Sequence, residues 1–200
     1  MQNLTSADFA NTGLLPADSS TPATTLQLIN GEQLADFTNN LSATDQQWLK
    51  RQSFKAKAGQ VAWLENGDGV LGRVQEDSLA TLGHLPHTLP EGVYRLKESA
   101  TFITLLGWGL GSYAFNRYKA AEREPAQLIL PDSADAAELI HTVAATYLTR
   151  DLINTPAQDM APSHLQSEVE ALATTFEATV STVVGDELLD LECGAIHAVG

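Results

Sequence analysis

Three groups of side chains in this sequence could do chemistry. His84 and His87, three positions apart, bring two imidazoles close together, and a metal site is the chemistry they would serve. Zinc takes three or four ligands in a defined geometry. No cysteine or second histidine pair accompanies them, and Pro86 disfavours a helix presenting both rings on one face, so a loop carrying two ordinary histidines is expected. Asp186, Glu187, Asp190 and Glu192 are the densest carboxylates. Asp186 and Asp190 share a helical face, yet acidic residues at a helix start stabilise its dipole, and a solvated surface is expected. Of the remaining histidines, His141 falls beside an apolar helical stripe, His164 in a helix first turn, and His197 on an expected strand, buried and hydrogen-bonded. Cys193 is the single cysteine, which excludes an internal disulfide and fits a reducing compartment.

Gly107-Trp-Gly-Leu-Gly111 is the third group. As a phosphate loop its spacing is wrong, because the dinucleotide fingerprint needs two residues before the third glycine. A helix fits better: Gly107 and Gly111 then share a face and let another element approach closely. The chain has no G-x-S-x-G, no H-E-x-x-H and no P-loop. No catalytic, cofactor-binding or metal-ligating residue is therefore assigned within residues 1–200.

The elements around these groups alternate. The longest helix is expected over 132–153, where Ala136, Leu139, Ile140, Val143, Ala144, Tyr147, Leu148 and Leu152 keep the spacing of one apolar face. Asp132 is its expected N-cap, and Pro156 ends it. Residues 1–24 read as an irregular lead-in. The α/β domain over 25–131 begins with a strand at 25–29 and a helix at 44–57, with Thr44 and Gln47 as its capping box. A β-hairpin pairs 60–64 with 70–74 around Asn66-Gly-Asp-Gly69. A helix at 77–85, a strand at 93–96, a helix at 102–119 and a strand at 127–130 follow. Such alternation predicts an α/β fold with a partly parallel sheet. Beyond Pro156, helices at 162–176 and 186–191 alternate with strands at 178–184 and 195–199. With fewer than fifty residues, this unit leaves apolar faces uncovered. It reads as the incomplete start of a second domain that continues past Gly200.

Composition sets the outer bounds. Two hundred residues at 44% hydrophobic content are enough for a sizeable core. Net charge is −14, which argues against a nucleic-acid partner. The basic run Lys50, Arg51, Lys55, Lys57 reads as a solvated helix face. After Arg150 there is no Lys or Arg, while Asp and Glu recur to Glu192, so compensating positive charge is expected either in further sequence or in a bound cation. No stretch is long and apolar enough to span a bilayer. The N-terminus lacks the pattern of a secretory signal, and a cytoplasmic location is expected. Asn3-Leu-Thr5 and Asn40-Leu-Ser42 match the glycosylation pattern without meaning there.

Several runs resemble the leucyl aminopeptidase (cytosol aminopeptidase) family. Thr149-Arg-Asp-Leu-Ile-Asn-Thr-Pro156 followed by Met160-Ala-Pro-Ser-His-Leu165 is similar to the segment by which that family enters its catalytic domain. Gly107-Trp-Gly-Leu-Gly-Ser-Tyr-Ala-Phe-Asn-Arg-Tyr-Lys119 resembles the helix ahead of the linker, and Gly194-Ala-Ile-His-Ala-Val-Gly200 an early catalytic-domain strand. Ala161 departs from the capping Thr usual there. The resemblance covers about residues 54–200. It implies a macro-domain-like α/β domain, a long linker helix and the start of an α/β catalytic domain. It further implies a homo-hexamer acting on peptides, with two divalent ions, zinc or manganese, held by a lysine, three aspartates and a glutamate. Those ligands belong to motifs after the Ala-Val-Gly strand and have no counterpart in residues 1–200, so this segment is expected to be non-catalytic and to support assembly and active-site access. A macro-like module binding ADP-ribose or a nucleotide, and a purely structural assembly domain, are the alternatives.

Overall fold

The computed structural model describes residues 7–73 and 77–199. Residues 1–6 of the lead-in with the Asn3 sequon, Val74 of the hairpin, and Gly200 lie outside the described residues. In chain order the elements are β1 (Leu14–Leu15), β2 (Thr24–Ile29), α1 (Leu34–Asn39), α2 (Ala43–Arg51), β3 (Val61–Trp63), β4 (Gly69–Gly72), α3 (Leu79–Leu82), α4 (Leu85–Thr88), β5 (Val93–Leu96), α5 (Phe102–Gly111), β6 (Gln127–Ile129), α6 (Ala136–Asn154), α7 (Pro162–Thr175), α8 (Glu187–Asp190) and α9 (Gly194–Val199). The chain forms two compact units, to Thr149 and from Arg150.

In the first unit six strands make one sheet in the order β1-β6-β5-β2-β4-β3. Every pairing is parallel except β3 with β4, the expected hairpin closed by Asn66 and Gly67, whose φ is 88°. Strand alternation sends Leu26, Leu28, Leu71, Tyr94, Leu96 and Leu128 to one face, where α5 and α6 add Leu105, Trp108, Leu139, Ile140 and Val143. The opposite face of β2, β3 and β4 packs Ile29, Ala62 and Val70 against Leu49 and Phe54. Each fully buried leucine removes apolar surface worth about 1.5–3 kcal/mol.

Helix α5 is the hinge of this packing. Interior glycine costs about 1 kcal/mol per residue relative to alanine, and α5 has three before its C-cap. Close approach offsets that cost. A Cβ on Gly107 would lie 2.2 Å from the carbonyl oxygen of Leu79, and one on Gly111 1.9 Å from that of Gly83, so the backbones of α3 and α5 touch. On the other side, a Cβ on Gly109 would meet Val143 Cγ2 of α6 at 2.6 Å. Tyr147 Oη donates to Gly109 O at 2.5 Å, and Trp108 Nε1, fully buried, donates to Gly13 O at 3.0 Å.

Several sequence expectations are corrected. The lead-in is not wholly irregular: Leu14 is fully buried in β1, and Gly13 O and Leu15 O accept from Leu128 and Leu130 N. Two residues are too few to show strand periodicity. Helix α2 is capped by Ser42, whose hydroxyl accepts from Asp45 N at 3.0 Å, not by Thr44. It ends at Arg51 because Ser53 and Ala56 turn the chain at φ 53° and 50°. Helix α1 has no counterpart among the expected elements. The helix expected at 77–85 is the shorter α3, and the loop expected around Pro86 begins as a second short helix, α4, which Pro86 opens, where its missing N–H is no loss. Helix α5 stops at Gly111, with the Ser112 hydroxyl donating back to Trp108 O. The residues that follow return as a loop pinned by Arg123, whose guanidinium donates to the carbonyls of Pro86, His87 and Leu89 at the end of α4. For α6 the capping carboxylate is Asp135, accepting from Glu138 N at 3.1 Å, in place of Asp132.

In the second unit α7 begins at Pro162 as expected. The strands expected at 178–184 and 195–199 do not form: the first is irregular and the second is α9. A strand without a neighbour leaves its ladder groups unpaired, and no strand is present among the described residues of this unit.

Replacing Gly111 with Ala forces the α3–α5 contact apart. We expect a loss of at least about 2 kcal/mol on unfolding by urea, against less than about 0.5 kcal/mol for Gly31→Ala, where no heavy atom lies within 4 Å of the added Cβ. Equal stabilities for the two variants would contradict this packing.

Candidate functional site

The histidines and carboxylates singled out by the sequence do not converge. His84 is exposed, with Nδ1 3.3 Å from Ala80 O and Nε2 3.2 Å from Gly59 O, and so links α3 to the turn before β3. His87 is exposed on α4, which the proline opens rather than prevents. His141 is exposed on α6. His164 Nδ1 accepts from Ala161 N at 3.1 Å, so the ring closes the start of α7 where Ala161 has no side-chain acceptor. His197 stands on α9, not on a strand, and its Nε2 lies 3.1 Å from Asp186 Oδ1 with the carboxylate almost fully exposed. Asp186, Glu187, Asp190 and Glu192 are all exposed. Cys193 Sγ faces Leu191 O at 3.4 Å. No three His, Cys, Asp or Glu side chains among the described residues are grouped to hold a metal ion. Gly107–Gly111 is buried helix packing and offers no loop to a phosphate.

The sheet itself makes a crevice that sequence reading missed. Strand β2 lies between β4 and β5, so the connections leading outward run in opposite directions from the β2–β5 boundary. In open α/β sheets that boundary is where the carboxyl ends leave room for a ligand. Pairing of β2 with β5 ends at Leu26 and Leu96, with Lys97 N donating to Leu26 O at 2.9 Å. Past that point the strands part. Leu28 N finds the Glu98 carboxylate instead, at 3.1 Å. Lys97 Nζ reaches across to Gln27 Oε1 at 3.0 Å.

A groove of about 980 Å³ opens here, between the outward side chains Thr25, Gln27 and Ile29 of β2 and the flank of α1. Arg73, directly after β4, lines it. Arg73 N donates to Ile29 O at 2.9 Å, while its Nε is enclosed and has no hydrogen-bond partner among the described residues. Asp45 and Asp68 also line the groove, each accepting a backbone N–H, from Glu65 at 2.9 Å and Thr25 at 3.3 Å. The available signal was positional: Arg73 directly follows β4, and Lys97-Glu98-Ser99 directly follows β5. On the opposite face the Tyr94 hydroxyl donates to Pro90 O at 2.9 Å. Burial raises its pKa above the ordinary value, and the Arg123 guanidinium opposes that shift.

Residues 24–131, more than half of the chain, match the M17 aminopeptidase N-terminal domain. The chain belongs to the M17 aminopeptidase family. A probable cytosol aminopeptidase of Corynebacterium efficiens is 28% identical over 87% of this chain and 40% of its own length. Another, from Clostridium perfringens, is 28% identical over 47% of this chain and 22% of its own. Among solved structures, the cytosol aminopeptidase of Coxiella burnetii superposes over 88% of this chain and 40% of that one, with TM-score 0.79 and 31% identity. The bottromycin maturation enzyme BotP, at 20% identity and TM-score 0.61, shares the fold. This M17 chain thus spans 40% of the length of the Corynebacterium and Coxiella proteins.

Truncating Glu98 to Ala strands the Leu28 N–H between separated strands. We expect a loss of about 1–3 kcal/mol in urea unfolding, with Glu98→Gln recovering at least half because its amide oxygen still accepts. Equal losses for Ala and Gln would show that the carboxylate does not bridge the parted strands.

Proposed function

We propose that this chain is the amino-terminal, non-catalytic portion of a metal-dependent aminopeptidase that releases N-terminal residues from peptides. One observation carries the reading: the match to a single cytosol aminopeptidase runs across 88% of the chain, through both compact units. In this reading 25–131 is a macro-domain-like α/β domain, 132–153 a linker helix and 154–200 the start of the catalytic domain. The parent is a homo-hexameric, cytoplasmic peptidase without nucleic-acid or membrane partners, and the N-terminal domain supports assembly and active-site access. Relatives carry the name cytosol aminopeptidase, and no described helix is long and apolar enough to cross a membrane.

Two divalent ions, zinc or manganese, belong to the parent enzyme in this reading. The donors described here do not fit them, since no convergent group of ligands is present among the described residues, and no step through the ions runs on these side chains. The second unit gives further support. Leu165, Val169, Leu172 and Phe176 follow the spacing of one face of α7 and are exposed, Phe176 at 72%. An apolar face of that kind needs a cover, and the rest of a catalytic α/β domain supplies one. The nucleotide-binding alternative is not favoured, because the glycine run it would use is filled by α3.

The test compares two polypeptides on leucine p-nitroanilide. The 200-residue chain with excess manganese or zinc is expected to give no turnover above the blank. The full-length protein carrying this domain is expected to turn over, to lose activity to a chelator and to regain it with metal. Turnover by the 200-residue chain, or a full-length protein indifferent to chelation, would contradict the proposal.

A further inference from the structure

His84 turns each of its two ring nitrogens toward a backbone carbonyl. Nδ1 lies 3.3 Å from Ala80 O on α3, and Nε2 lies 3.2 Å from Gly59 O in the turn before β3. A carbonyl oxygen only accepts, so each nitrogen needs an N–H to bond there. Neutral imidazole carries one N–H and one lone pair, whereas the imidazolium carries two N–H groups. In either neutral tautomer a lone pair therefore faces a carbonyl oxygen. Protonation replaces that opposition with a second hydrogen bond and makes both charge-assisted.

The turn is shaped to receive the ring. Gly59 has a φ of 77°, and a Cβ there would stand 3.1 Å from His84 Nε2, so a side chain would crowd the imidazole. Gly59 N donates to Gly72 O at 2.9 Å, and Gln60 N to Lys57 O at 2.9 Å, which ties the turn to β4. On the other side, the carbonyls of Leu79 and Gly83 meet the glycines of α5. His84 thus links the α3–α5 pair to the β3–β4 hairpin. We propose that His84 is a pH-dependent clasp, closed by the imidazolium across the end of α3 and the turn at Gly59 and loosened when the ring is neutral. Neither α3 nor α5 carries a charged or titratable side chain. Lys57 in the turn and His87 on α4 oppose a positive ring when charged, and Asp77 ahead of α3 favours one. All three are exposed and screened by solvent, so the two carbonyls decide the sign. The charged ring makes one more native hydrogen bond than the neutral one. Its contribution to stability is therefore present in acid and is lost as pH rises through the histidine range.

The experiment is urea unfolding of the 200-residue chain and its His84→Gln variant at about pH 5 and about pH 8. Tryptophan fluorescence follows it, since Trp48, Trp63 and Trp108 all lie in the first unit. Glutamine does not titrate, so the ratio of the two unfolding constants isolates His84 from the other ionisable groups. That ratio, variant over wild type, is expected to be at least about threefold larger at the acid pH. Amide hydrogen exchange supplies a local measure that needs no variant. Protection factors of Gly59 and Gln60, corrected for intrinsic exchange, are expected to fall at least about threefold from the acid to the alkaline condition in the wild type. Should His84→Gln fail to fold, those two amides decide the matter. A ratio equal at both pH values or larger at the alkaline one overturns the proposal, and so does protection of Gly59 and Gln60 that does not fall. The clasp lies within the N-terminal unit, and its failure leaves the aminopeptidase reading standing.

Discussion

The contact between the backbones of α3 and α5 is the constraint on which the first unit depends. Gly107 and Gly111 put carbonyl oxygens of α3 where any side chain would have to be. Such an approach fixes the direction of α5, and α5 then fixes three other things. Trp108 anchors the amino-terminal strand through Gly13 O, Gly109 seats Val143, and Tyr147 reaches back to the same glycine's carbonyl. Truncating a buried Trp costs about 3–5 kcal/mol, comparable to the intrinsic penalty of the three glycines together. Packing therefore wins by its whole network and not by any one contact.

The sheet opens at the β2–β5 boundary. On the second face, α1 and α2 pack against β2, β3 and β4, and beside them on β5 Arg95 is exposed. There Arg95 and Lys97 replace apolar residues, and β2 and β5 part after a three-residue register. Glu98 stitches the gap with a side chain. A crevice lined by charged groups follows from that parting.

Much of this was legible in the residues, and the exceptions have physical causes. The hairpin showed itself through Asn66 and Gly67, α7 through Pro162, and the glycine spacing of α5 pointed to close packing over phosphate binding. The alternation of strands and helices was enough for a partly parallel sheet. Strand β1 was invisible because two residues carry no period, and its place depends on a hydrogen bond from a tryptophan ninety-five positions away. The caps of α2 and α6 were each misplaced because Ser, Thr and Asp neighbour one another there, and only geometry chooses between them. Residues 195–199, apolar and short, fit a strand or a helix equally by pattern, and no adjacent strand is present to take them. The crevice was missed for a different reason: Arg73, Asp45 and Lys97 lie far apart in sequence and form no motif.

The two compact units differ in how they hold together. Trp108, Leu14, Leu71 and Leu139 are fully enclosed in the first, whereas Ile153, Phe176 and Val199 stand largely in water in the second. Local stability tracks buried apolar contact. Native-state hydrogen exchange on the 200-residue chain measures that directly. Amides of β2, β4, β5 and α5 are predicted to exchange only through global unfolding, while those of α7 exchange at least about a hundredfold faster. Equal protection of α7 and α5 in the monomer would contradict the account, because it would place a packed core in the second unit where α7 presents an exposed apolar face.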